Sequence, residues 1–261
     1  MRAYLQLFSV TIKEFFSYRL NFVLWRLRML LSTLVTVFLW TAVFDGKLRF
    51  GYYSKEQMLS YVLFSSLIMT LVSSTRTTEL ASDIQNGNLM NLLLKPISLF
   101  KYYGAVDVAD KSMNILFGAV EFAFVVILFQ VPLVIPQALL FSLFFLICGI
   151  IINFFINLML SFIGFWTPEV WAPRFLFTMI LSFVSGMYFP LDLLPEPIYR
   201  ILLITPFPYL LFLPAHILIR GIEPHYIAQQ MFFALFWSVG VYFLAKRVWK
   251  KGLSDFSFWG R

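Results

Sequence analysis

Charge is scarce in this chain. Asp, Glu, Lys and Arg together make up 13% of its 261 residues, about half the share in a soluble domain. Cysteine is scarcer still: the single Cys148 excludes an internal disulfide and by itself makes no metal site. His216 and His225 stand nine apart with only Glu223 nearby, a poor metal constellation, so solvated or interfacial positions are expected for both. No G-x-x-x-x-G-K-[ST] stretch occurs, and the chain lacks that cradle for nucleotide phosphates. H-E-x-x-H and G-x-S-x-G are missing as well, and no polar stretch is long enough for a nucleotide-binding domain. The two halves show no convincing similarity, which weakens the case for a secondary transporter built from inverted repeats. Powered transport by this chain therefore needs an ion gradient or another polypeptide that supplies the energy.

What is abundant is grease. Hydrophobic residues reach 61%, with 32 Phe and 7 Trp, and the mean hydropathy is +0.83. Apolar windows at 27–44, 57–73, 113–132, 137–166, 174–189 and 226–245 are each long enough, or nearly so, to cross about 30 Å of hydrocarbon. Each must be helical there, because its backbone has no water to bond. The first and fifth are short, so flanking Arg28 and Arg174 are expected to snorkel. The expected fold is an all-α integral membrane protein with six transmembrane helices. Six spans place both termini on one side. Of the 20 Lys and Arg residues, only Lys47, Arg49, Lys55, Arg200 and Arg220 fall on the other. That bias puts both termini in the cytoplasm. Topology and anionic lipid then account for the net charge of +7, with no call for nucleic acid.

The segments outside the spans have their own character. Lys13, Glu14 and Arg19 interrupt any signal-peptide core, and residues 1–26 read as an amphipathic interfacial helix. The C-terminal KRVWKKGLSDFSFWGR reads as a basic, aromatic inner-leaflet anchor. Residues 74–111 form a cytoplasmic loop. Leu80 and Ile84 sit four apart with Glu79 and Asp83 on another face, which predicts a helix continuing out of the membrane until Asn86-Gly87 breaks it. In GNLMNLLLKPIS, Leu89, Met90, Leu93 and Leu94 recur at helical spacing until Lys95-Pro96 stops the run. This short helix either floats on headgroups or docks a cytoplasmic partner. The carboxylates favour docking, since anionic lipid repels them and a protein groove can pair them. Across the membrane, residues 190–225 stay apolar, yet Pro190, Pro195, Pro197, Pro206, Pro208 and Pro214 forbid one span. Short helices dipping into the outer leaflet are expected, either as a plain cap or as an outer gate.

Within the spans, Glu121 lies near the middle of the third helix. Asn153 and Asn157 share a face of the fourth, with Asn153 at a similar depth. A hydrogen bond between these helices is expected as interhelical glue, the other reading of Glu121 being a proton or substrate contact. The hydroxyls of the second helix, Ser65 among them, suit close packing or a polar wall.

Four stretches carry a resemblance. FFSYRLNFVLWRLR, GNLMNLLLKPIS, the Phe165, Trp166 and Trp171 set, and SGMYFPLDLLPEPIYRILLITPFPYLLFLPAHILIRG resemble the six-span membrane subunits of ABC type-2 transporters of bacterial exporters. The similarity covers nearly the whole chain, although LSDFSFWGR keeps little of that family's Tyr- and Gly-rich tail. The resemblance implies a permease in the bacterial inner (plasma) membrane, paired with an identical or sister permease. Cytoplasmic ATPase subunits would dock beneath, with ATP and magnesium bound on them and no cofactor on this chain. Docking would fall to Glu79, Asp83, Gly87, Leu89, Met90, Leu93, Leu94 and Pro96. The second and fifth helices would line the path with Tyr61, Ser65, Thr178 and Ser182. Pro190, Leu191 and Pro195 would gate its outer end. The competing readings are a gradient-driven secondary transporter coupled through Glu121 and a membrane scaffold that transports nothing.

Overall fold

The computed structural model describes residues 2–221 and 224–258, so the tail at 259–261 and Glu223 lie outside the described residues. Nearly all regular structure is helical, as backbone in hydrocarbon requires. The helices α1 (Arg2–Ser17) and α2 (Arg19–Val43) are separated only by Tyr18. The first helix thus ends well before the expected boundary at 26, and Arg26 belongs to the interior of α2. Strands β1 (Arg49–Phe50) and β2 (Tyr53–Ser54) pair as a small antiparallel hairpin. Gly51 turns it at φ +57°, a left-handed value that favours glycine. Ser54 then opens α3 (Lys55–Ser73) with a capping box, its hydroxyl accepting from the Gln57 N–H while the Gln57 side chain accepts from the Ser54 N–H.

The expected continuation of this helix is interrupted. The chain is extended at Ser74 and resumes as α4 (Thr77–Gln85). Gly87, at φ +74°, redirects it into α5 (Leu89–Leu93), and α6 (Leu99–Phe129) follows Pro96. Next come α7 (Leu139–Phe162), the short α8 (Trp171–Val184), α9 (Glu196–Ile204), α10 (Phe212–Arg220) and α11 (Pro224–Phe258). Three 3-10 turns, at Ile163–Phe165, Leu191–Leu193 and Phe207–Tyr209, link them.

Among the described residues, five helical stretches are long and apolar enough to cross a membrane: Arg19–Val43, Lys55–Gln85, Leu99–Phe129, Leu139–Phe165 and His225–Phe256. The chain has an all-α, multi-pass membrane fold. The shorter apolar helix α8 has 14 residues, a rise of about 21 Å against about 30 Å of hydrocarbon. The window expected at 174–189 overran it, because the chain turns at Gly186 with φ +82°.

Packing divides into three clusters. One joins α3, α7, α10 and α11 around Tyr209, Phe145 and Phe212. A second holds α2, α3, α6 and the hairpin around Trp40, Tyr53 and Met58. The third seats α4 and α5 on α6, α7 and α11 through Leu80, Ile84, Leu89, Tyr103 and Phe162. At the first, α7 meets the Pro-rich segment backbone to backbone. A Cβ on Gly149 would lie 2.6 Å from the Tyr209 carbonyl oxygen and 3.1 Å from Leu210 Cα. Small residues permit such approach in membranes. Gly149→Ala is expected to cost about 1–3 kcal/mol of stability, read as a lower unfolding temperature in detergent.

Candidate functional site

At the loop end of α3 the sequence builds a pedestal with an apolar tip. Leu80, Ile84 and Leu89 point into the third cluster and are buried. Leu89, expected on the docking surface, is therefore its foundation. The residues after it turn outward: Met90 is 49% exposed, Leu93 39% and Leu94 85%, and Pro96 is exposed beside them. Gly87 provides the left-handed turn that aims this tip. Glu79 is exposed, with Arg76 at 3.9 Å, while Asp83 accepts a hydrogen bond from the Tyr103 hydroxyl at 3.2 Å. The acidic flank survives only in part.

α1 lies along α6 and is tied to the same end. Arg76, just before α4, pairs with Glu14 of α1 and, at 3.1 Å, with Asp110 of α6. Asp110 accepts from Asn114, and Asn114 accepts from Arg26 at 3.2 Å. Arg26 also makes a two-pronged pair with Glu121, both N–O distances being 2.6 Å. Glu121 thus bridges α6 and α2. The expected partner, Asn153, instead donates to the Val72 carbonyl at 2.6 Å, and Asn157 donates back to Asn153. The composition contained the signal, since Arg26 lies within an apolar helix, but counting it with the aqueous cations hid it.

Two chambers open beside these groups. One, about 260 Å³, lies between α2, α3, α4, α7 and α8, and is lined by Asn153, Asn157, Arg174, Thr178 and Ser182 among others. It meets a larger one, about 580 Å³, at Trp25, Ser73 and Thr75. Thr178 and Ser182 thus share one wall. Tyr61 and Ser65 are elsewhere. Tyr61 is fully buried and donates to the Gly186 carbonyl at 2.5 Å. Ser65, 3% exposed, lines a separate groove with Glu121 and donates to the Val62 carbonyl. Both were expected on the pathway wall; here they lie on α3 at the centre of the protein and bond backbone carbonyls. Cysteine placed at Ser182 is expected to react with a water-soluble thiol reagent; the buried Cys148 makes the unmodified chain a low blank. Complete inertness of Ser182→Cys would remove α8 from the path.

The far end is closed by the Pro-rich segment. Pro190 is buried and Leu191 is buried in the first cluster, whereas Pro195 is exposed. The turn at Gly186 is pinned by Tyr61 and by the Phe212 N–H, which donates to the Ser185 carbonyl at 3.0 Å. A polar latch holds the hairpin against this cap. Tyr53 donates to the Asp192 carboxylate at 2.9 Å, with His216 Nδ1 at 2.9 Å from the same hydroxyl and Arg220 3.5 Å from Asp192. His216 is not solvated: burial pushes its pKa down to about 4, so it is neutral and can donate through Nδ1 to Tyr53. His225 is exposed.

Among the described residues, no group of three or more His, Cys, Asp or Glu side chains is arranged to hold a metal ion. No curated protein matches the sequence. The family model of the ABC-2 family transporter protein matches residues 30–260, from within α2 through the C-terminal tail. The chain belongs to the ABC-2 family transporter proteins, as a membrane permease subunit.

Proposed function

We propose that this chain is the translocating half of an exporter driven by a separate cytoplasmic ATPase. The observation that carries the reading is the tip formed by Met90, Leu93, Leu94 and Pro96, apolar and exposed on a buried pedestal. An apolar surface held out from the membrane-spanning body favours a protein groove. In this reading α4 and α5 are the coupling element, within a cytoplasmic loop at 74–111. Glu79 and Asp83 flank the dock. α1 is the elbow lying on the inner leaflet, with both termini cytoplasmic in a bacterial inner membrane.

The same reading gives α8 a second permease as neighbour. Among the described residues of α8 none is buried, and Phe177 and Leu181 pack only partly against the first cluster, so within one protomer the helix leaves most of its surface open. Opposed to its counterpart across a two-fold axis, α8 completes the sixth crossing of a thinned bilayer. Thr178 and Ser182 then face the shared path. Residues 190–225 form the extracytoplasmic gate, with Pro190 and Leu191 as its packed base and Pro195 at its surface. ATP and magnesium belong to the ATPase, and this chain performs no catalysis. Gradient coupling through Glu121 is the weaker reading, because Arg26 already neutralises that carboxylate.

The test is co-purification. The chain is expected to retain a cytoplasmic ATPase through detergent extraction, and vesicles holding both to show ATP-dependent flux. Uphill transport by the chain alone would overturn the proposal.

A further inference from the structure

Two guanidinium groups line the chamber beside α8, and no Asp or Glu does. Arg28 comes from α2 and is exposed; Arg174 comes from the first turn of α8 and is half-buried. Arg174 donates to Thr78 Oγ1 at 2.9 Å, to the Asn157 carbonyl at 3.0 Å and to Ser161 Oγ at 2.6 Å. All three acceptors are neutral. Its Nε is buried and has no hydrogen-bond partner among the described residues. Glu169, the nearest carboxylate in sequence, accepts instead from the N–H groups of Trp171 and Ala172. The carboxylates of the adjoining chamber gather around Arg76. Among the described residues, neither Arg28 nor Arg174 has an ion pair. A guanidinium withdrawn from water without a counter-ion is costly to maintain. Its planar fork suits the oxygens of a phosphate or carboxylate. Around the two cations the wall is apolar, with Met29, Met69, Val72, Leu181 and Leu210.

We propose that this chamber binds an amphiphile by its anionic head, a phosphate or carboxylate seated on Arg174 and Arg28 with its apolar chain along the α2 and α8 walls. The inference rests on reading the chamber as part of the transport path. At about 260 Å³ the chamber is a little below the usual small-molecule pocket, so it holds a head group and the first part of a chain.

The test measures equilibrium binding of radiolabelled dodecyl phosphate to the full chain in phosphatidylcholine nanodiscs. Binding is expected to saturate and to be at least tenfold tighter than that of dodecyltrimethylammonium, a change of sign on the same tail. Arg174→Gln is expected to weaken it about tenfold, with Arg174→Lys between. Because Arg174 also holds Ser161 and Asn157, the exposed Arg28→Gln serves as the second variant, with about a fivefold loss expected. Competition by phosphatidylglycerol in the disc assigns the head to a lipid; competition by inorganic phosphate alone assigns it to a water-borne solute. Both outcomes support the site. Equal binding of the cationic amphiphile overturns it, as does unchanged binding by both Gln variants. ATPase recruitment to the same discs separates the two readings. Recruitment with no preference for the anion sinks only this inference, and anion binding without recruitment sinks only the docking assignment.

Discussion

Leu94→Asp, alone or with Leu93→Asp, is expected to abolish ATPase association while leaving the chain folded. In the isolated protein Leu94 is 85% exposed and Leu93 39%, so a carboxylate at either position stays wetted and costs the fold little. In the assembled transporter the same carboxylate is desolvated against an apolar groove. An unpaired buried charge costs about 3–5 kcal/mol, which is a hundredfold or more in affinity. The measurement is a pull-down of the ATPase alongside an unfolding curve in detergent. Leu89→Asp is the contrast, because its side chain is fully buried beneath the tip and the loop itself should collapse. Full ATPase retention by a folded Leu94→Asp protein would remove the tip from the interface.

Arg26→Met is expected to be the most destabilising single change in the spans. The guanidinium is buried and is bonded to Glu121 and Asn114 at once. Removing it leaves a carboxylate facing hydrocarbon, at a cost of about 3–5 kcal/mol. Partial exposure of Glu121, at 23% of its side chain, places the value toward the lower end. Glu121→Gln should cost less, since an amide can still accept from Arg26. The double change to Met at both positions should recover much of the loss, because apolar replacement of a whole buried pair is often neutral. Thermal unfolding of the four proteins decides the matter. A double variant no more stable than Arg26→Met would show that the pair does not act as a unit.

The long spans were legible because hydrocarbon imposes length and composition on every helix that crosses it. The break of the loop into α4 and α5 was half legible. Asn86-Gly87 and Lys95-Pro96 marked the turns, but Ser74–Arg76 has no breaker residue and is held open by tertiary bonds. The Lys111 ammonium, for instance, donates to the Ser74 carbonyl. Direction along a short helix was not legible at all. Leu89 and Leu93 share one periodic face in sequence, yet the pedestal takes the first inward and leaves the second in the open. Tyr61 and Ser65 carry a similar ambiguity. Hydroxyls on an apolar helix look alike whether they face water or bond a carbonyl, and only the packing of neighbouring elements decides. Arg26 shows the limit of charge counting: a cation within an apolar run can be bound to an anion 95 positions away.

The two ends of α3 are anchored differently, and this has a mechanical result. Its upper part is fastened through Tyr61 to the Gly186 bend, while its lower end runs into the kink beside the apolar tip. A helix resists stretching because every turn is closed by its own bonds. It therefore behaves as a rod: in the proposed coupling, a pull at its lower end reaches the Gly186 bend as displacement.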